Sequence, residues 1–340
     1  MKKKDFFIII IITAALLIFM EIACRLLGAN RFTDSDFRFY VRNVDNDLFL
    51  EYVVEDPLLM WSLKPGYKVP YITINSQGFR DIEYSVNKDD GVFRILCLGD
   101  SSTFGWDVLI EATYHSLLEE RLNREHGGGR RFEVINAGVA GYTSIQGLYM
   151  YLSRGVQFKP DLVTFYFGVN EPLSRFYLSD AEIMKINRPQ WLNLLVNGWL
   201  LKSELVRVVQ KTAMSVINKN IINSRPPVPR VSPTDYRNAI LHLKEACDRN
   251  GSQLLLISPA LHMNNNFERP KEIVRYRKIL EQTAAQNGIP LLTIPEMTEY
   301  ASDDSNYLFL KDDSVHPSPA GHRLIMQRLH DFMVNNRMLP

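Results

Sequence analysis

The chain predicts an α/β protein, a three-layer α/β/α sandwich around a parallel sheet. From residue 93 to the C-terminus, apolar runs of strand length alternate with amphipathic stretches of helical length. The runs are nearly continuous in apolar residues, as strands covered on both faces must be. Three of them also break off into small or polar groups: GDSS after Leu98, NAGVAGYTS after Ile135 and GVNE after Phe167. In sheets of this kind, sites sit beyond the carboxyl ends of the strands.

The elements follow in order. FRILCLG (93–99) reads as a strand, and YHSLLEERLNREH (114–126) as a helix with its apolar stripe on one side. FEVINAG (132–138) is a strand, TSIQGLYMYLSRG (143–155) a helix and DLVTFYFG (161–168) a strand. PTDYRNAILHLKEACDRNG (233–251) is a helix closed by glycine and leads to the strand SQLLLISP (252–259). VRYRKILEQTAAQNG (274–288) is a helix before the strand IPLLTIPE (289–296), and PAGHRLIMQRLHDFMVNN (319–336) is the last helix. The Pro-Gly and Gln-Gly turn signals of residues 56–81 predict short strands or hairpins ahead of this body.

The N-terminus sets a separate expectation. MKKKD precedes FFIIIIITAALLIFM, and counting on to Cys24 makes the segment long enough to cross a bilayer. Lys2, Lys3 and Lys4 favour an N-terminus in the cytoplasm, which puts the bulk of the chain on the far side. A cleaved signal peptide is the competing reading. No small-x-small site follows the run, and Glu21 sits where one belongs. Residues 1–25 are therefore read as an uncleaved single-pass membrane anchor, 26–90 as an extension and 91–340 as the main domain. A helical insertion at about 172–231 interrupts that domain.

Other classes lose support. The 39 basic and 38 acidic residues nearly cancel, leaving no global footprint for nucleic acid. Neither a phosphate-binding glycine loop nor zinc-like Cys/His spacing is present, so neither cofactor nor metal is expected. Cys24, Cys97 and Cys247 make no disulfide framework.

Gly99 permits a sharp turn at a strand end, which exposes Ser101 or Ser102 at the mouth of the sheet. A serine hydroxyl needs a base to become a nucleophile. His316, in DSVH just before the last helix, is the best base, and Asp313 three residues earlier can fold back to orient the imidazole. The Ser101 N–H, the Gly141 N–H and the Asn170 amide stand at neighbouring strand ends, where donors for a developing oxyanion are needed. Ser102 and Thr103 suit a turn or a helix cap, and Asp312 a solvated acid. His322 falls inside the last helix.

These blocks resemble the SGNH, or GDSL-type, hydrolase superfamily. GDSSTFG is similar to its first block and puts the nucleophile on Ser101. NAGVAGYTS is similar to the second, with Gly141 as the oxyanion glycine, and GVNE to the third, with Asn170. DSVH matches the last block through Asp313 and His316. The third block commonly carries aspartate where this chain has Glu171. INSQGFRDIEY is similar to a segment found ahead of the first block in membrane-anchored bacterial members. The resemblance covers about residues 72–335 and implies a flavodoxin-like parallel sheet and ester hydrolysis through an acyl-enzyme. It leaves two alternatives: an O-acyltransferase acting on a cell-surface polysaccharide, and a non-catalytic binding or assembly protein. The expected substrate is an acyl ester, glycan-borne or lipid-like, and the expected location is the outer side of the cytoplasmic membrane. The insertion is apolar on more than one side and rich in Lys and Arg, Arg230 among them. A packed helix with a solvated face, a lid and a lipid-resting surface all fit it.

Overall fold

The computed structural model describes residues 3–27, 51–56, 58–176, 178–187, 203–206, 208–209, 212, 228–260, 270–294, 308–311, 313 and 315–340. These fall into two compact units: one of residues 1–61, 175–178 and 182–228, the other of residues 62–174, 179–181 and 229–340. Asp312, His262 and most of the insertion lie outside the described residues.

The first unit contains helix α1 (Lys3–Leu27). Its stretch Lys4–Leu27 has a mean hydropathy of 2.8 and is long and apolar enough to cross a membrane. Phe6 to Ile12 and Leu16 to Phe19 expose their apolar side chains all round, as a helix solvated by lipid does. Glu21 is not left bare in this apolar helix. Its carboxylate accepts bonds from the Ser203 hydroxyl at 2.7 Å and from the Glu204 and Leu205 N–H groups at 3.0 and 2.9 Å.

The second unit carries a five-stranded, all-parallel sheet. Its strands are β1 (Val92–Gly99), β2 (Arg131–Gly138), β3 (Leu162–Tyr166), β4 (Gln253–Ile257) and β5 (Leu291–Leu292). They lie in the order β5-β4-β3-β1-β2, the flavodoxin-like arrangement. In the pairing register, Gly99 of β1 stands between Gly138 of β2 and Tyr166 of β3. The three polar strand ends therefore lie side by side, at the point where the strand order reverses.

Side-chain alternation along β1 explains the layers. Phe93, Ile95 and Cys97 join Tyr114, Leu118 and Leu122 of α3 (Tyr114–His126) and Ile325, Leu329 and Met333 of α7 (Pro319–Asn335) in one buried cluster. On the opposite face, Leu96 and Leu98 are fully buried, and the Leu96 side chain runs close against Gly155. Helices α4 (Ser144–Ser153) and α5 (Pro233–Arg249) pack on each other, and α6 (Pro270–Asn287) packs on α5. Ser232 and Ser318 cap α5 and α7 through their hydroxyls, each with proline at the first helical position.

Of the strands, β5 departs most from expectation: within the expected 289–296 it holds Leu291–Leu292, and residues 295 and 296 lie outside the described residues. Pro290 has no N–H to donate, and the strand pairs on one side only, with β4. A short antiparallel pair, Lys68–Val69 with Ile72–Thr73, supplies an expected hairpin of the extension. Both buried cysteines, Cys97 and Cys247, are free, and burial pushes each thiol up to about 12.

Candidate active site

At the end of β1 the chain turns directly into a four-residue helix, α2 (Ser101–Phe104). Asp100 caps it, accepting the Ser102 N–H at 2.9 Å. Burial raises the Asp100 carboxyl to about 6 against that bond. Gly105, in the left-handed conformation, closes the helix by donating to the Ser101 carbonyl at 3.0 Å. The helix lies directly on the end of β2: a Cβ at Gly138 would stand 2.5 Å from the Phe104 nitrogen. Gly138 is thus required by its contact with α2.

This geometry presents Ser101 partly exposed at the strand end and buries Ser102. His316 Nε2 stands 2.8 Å from Ser101 Oγ, while its Nδ1 stands 2.6 Å from Asp313 Oδ2. The other Asp313 oxygen accepts the Val315 and His316 N–H groups at 2.7 and 2.9 Å, so a single turn fixes both residues. Burial pushes the Asp313 carboxyl up, but the His316 bond and charge and the two N–H donors outweigh it and hold it at about 2. Trp106 stacks on the imidazole at 6.0 Å between ring centroids. The Ser102 hydroxyl donates instead to the Val315 carbonyl at 3.3 Å, tying the α2 turn to the histidine loop.

Beyond β2 and β3 lie the other two blocks. Gly141 takes φ +79°, a conformation that favours glycine. Asn170 is buried, and its amide donates to the Tyr142 carbonyl at 3.0 Å. A side-chain amide carries two N–H groups, and among the described residues only the Tyr142 carbonyl accepts from this one. Glu171 is fully buried, and its Oε1 accepts the Ser144 N–H at the start of α4, at 2.7 Å. Burial raises this carboxyl to about 7, with the Ser144 bond opposing.

Two arginines that hold the site were not singled out by motif. Arg80, from the INSQGFRD segment, donates to the carbonyls of Phe104, Gly105 and Val108 at 2.7, 2.6 and 2.6 Å. It thereby clamps the loop that follows the serine helix. Arg230 belongs not to a solvated basic face but to the interior, with 2 % exposure. It pairs with Asp180, bonds Gln146 Oε1 at 2.9 Å and donates to the Gly141 carbonyl at 2.6 Å. His322 is structural: its Nδ1 accepts the Tyr114 N–H at 3.2 Å.

Residues 97–324 match the sequence profile of the GDSL-like lipase/acylhydrolase family, so the chain belongs to that family and is an enzyme acting on ester bonds. Its fold is that of the SGNH hydrolases. The solved structures it is similar to include a lipase/acylhydrolase from Enterococcus faecalis, at 18% identity and a TM-score of 0.48 over 72% of this chain and 96% of that one. TesA matches at 17% and 0.47, over 72% of this chain and 99% of that one. Axe2, an acetylxylan esterase from Geobacillus stearothermophilus, matches at 16% and 0.46, over 71% and 94%. No curated protein sequence matches the chain significantly.

Proposed function

We propose that this protein is a membrane-anchored serine esterase that works through an acyl-enzyme on Ser101, with its catalytic unit outside the cytoplasm. The observation that carries this reading is the continuous chain of contacts from Ser101 Oγ through the His316 ring to Asp313. His316 Nε2 takes the hydroxyl proton as Ser101 Oγ attacks the ester carbonyl. Asp313, ionised and fixed by two backbone donors, holds Nδ1–H toward itself and stabilises the imidazolium. The Ser101 and Gly141 N–H groups and the second Asn170 N–H receive the oxyanion. His316 then passes its proton to the leaving alcohol, and water, activated the same way, releases the acid. The substrate is an acylated glycan or a lipid-like ester, since an anchored enzyme meets esters near the membrane surface.

Hydrolysis of acetyl, butyryl and long-chain nitrophenyl esters by the full chain in detergent tests this. A burst of nitrophenol equal to one equivalent of enzyme, followed by slower turnover, is the expected result. Turnover of none of these esters would overturn the assignment. Acyl transfer to an added polysaccharide in preference to water would replace hydrolase with transferase on the same residues.

A further inference from the structure

Far from the serine, two helix ends bring together a second constellation. Helix α3 runs from the carboxyl end of β1 back to the start of β2, so its last turn lies at the opposite edge of the sheet. That turn carries Glu125 and His126, and α7, packed against α3, brings up His330. His126 Nε2 and His330 Nε2 are 3.4 Å apart, and His330 Nε2 is 3.2 Å from Glu125 Oε2. One ligand atom from each residue lies within 4.8 Å of the others.

We propose that Glu125, His126 and His330 form a binding site for a borderline divalent cation of the zinc class, which ties α3 to α7. Zinc bonds of about 2.0–2.1 Å in a tetrahedron give ligand-to-ligand edges of about 3.3–3.4 Å. The two measured separations have that size. The donor set, two imidazoles and one carboxylate, suits zinc, with a water in the fourth position. His330 also has the orienting partner that metal-bound histidines use: its Nδ1 lies 3.1 Å from Asp331 Oδ1. An Nδ1–H donated to Asp331 leaves the Nε2 lone pair aimed at His126 and Glu125. That lone pair, the Glu125 carboxylate and the Nε2 of His126 then face one another as three donors to a common cation.

Two arginines temper the site. Arg121 Nε bonds both Glu125 oxygens, at 3.1 and 3.2 Å, its Nη2 lies 3.6 Å from Asp331, and Arg124 reaches Glu125 Oε1 at 3.4 Å. Glu125 is shared between these cations and the metal, which makes the site weaker than a closed structural one. The competing occupant is a proton: His330 charged on both nitrogens would satisfy Glu125 and Asp331 unaided. Placed at the far edge of the sheet from Ser101, the cation braces the fold and takes no part in ester chemistry.

Zinc chloride is titrated into the full chain in detergent, purified on a tag without histidines and stripped with chelator. One zinc should bind per chain and raise the apparent Tm by about 5 °C at a hundredfold excess over Kd. Cobalt(II) should give the intense visible absorption of a four-coordinate site. His126→Gln, at the exposed helix end, should fold normally and weaken zinc by at least about a hundredfold, and Asp331→Asn by about tenfold. Absence of one-per-chain binding would overturn the proposal and leave the proton as occupant. Binding unchanged in His126→Gln would also overturn it, because the zinc would then sit elsewhere, His316 included.

Discussion

Ser101 Oγ and His316 Nε2 stand 2.8 Å apart across 215 residues of sequence. Each is placed by a short, locally closed turn: Asp100 caps one, and Asp313 accepts two N–H groups in the other. The Ser102 hydroxyl joins the two turns through the Val315 carbonyl. Ser101→Ala should therefore cost many thousandfold in ester hydrolysis while leaving thermal unfolding unchanged. Ser102→Ala should cost only about 0.5–1.5 kcal/mol of stability and keep most of the activity. Matched steady-state kinetics and melting curves of the two variants check this, and reversed outcomes would move the nucleophile to Ser102.

Asn170 should act mainly in the transition state. Removing one oxyanion donor typically costs about 2.7–4 kcal/mol in the barrier, a hundred- to thousandfold in kcat. Asn170→Ala is expected to show that loss with a smaller change in KM. A variant that changes KM alone would make Asn170 a substrate-binding group.

Arg230 should affect the same step at one remove, because it holds the Gly141 carbonyl and therefore the orientation of that loop. Arg230→Lys keeps the charge but loses the fork to Asp180, Gln146 and Gly141. We expect kcat to fall by about tenfold or more, equivalent to about 1.4 kcal/mol in the barrier, with KM little changed. Arg230→Met, which leaves Asp180 buried without its partner, should lose about 3–5 kcal/mol of stability. Equal kcat in Arg230→Lys and the parent would remove the positioning role.

Glu171 gives the fold a pH dependence of definite sign. Its carboxyl is raised from an ordinary 4.5 to about 7, so its contribution to stability is complete below about pH 4.5 and is lost as pH rises through about 7. Asp313 has the opposite sign: its contribution is present above 3.8 and is lost as pH falls through about 2. Urea unfolding at pH 5 and pH 8 should show a smaller drop for Glu171→Gln than for the parent. Identical drops would mean that Glu171 is ionised in the folded protein.

The anchor makes its own prediction. With Lys2, Lys3 and Lys4 inside, an enzyme reporter fused after Pro340 should be active only outside the cytoplasm, and protease added to spheroplasts should digest the catalytic unit. Full protection of that unit would reverse the topology.

What could be read in advance was local in sequence. The strand β1, the helix at 114–126 and the turn that joins Asp313 to His316 all lie within short windows, where periodicity and spacing are informative. Arg80 and Arg230 were not legible as site residues, because their importance lies in carbonyls 24–28 and 89 residues away. Composition alone makes Arg230 one more cation in a basic insertion; only burial against Asp180 shows its work. The histidines of the α3–α7 cluster are 204 residues apart, beyond the reach of any ligand-spacing rule. Glu21 marks in sequence only the place where a cleavage site would belong, and its partners, Ser203 to Leu205, are more than 180 residues away.

The most direct test of the central claim is covalent labelling of the full chain with a fluorophosphonate, followed by mass spectrometry of its peptides. The phosphonyl group should be found on Ser101 at one per chain, should persist in Ser102→Ala and should disappear in His316→Gln, which lacks the base. A label on another residue, or none on a well-folded parent protein, would contradict the Ser101–His316–Asp313 mechanism.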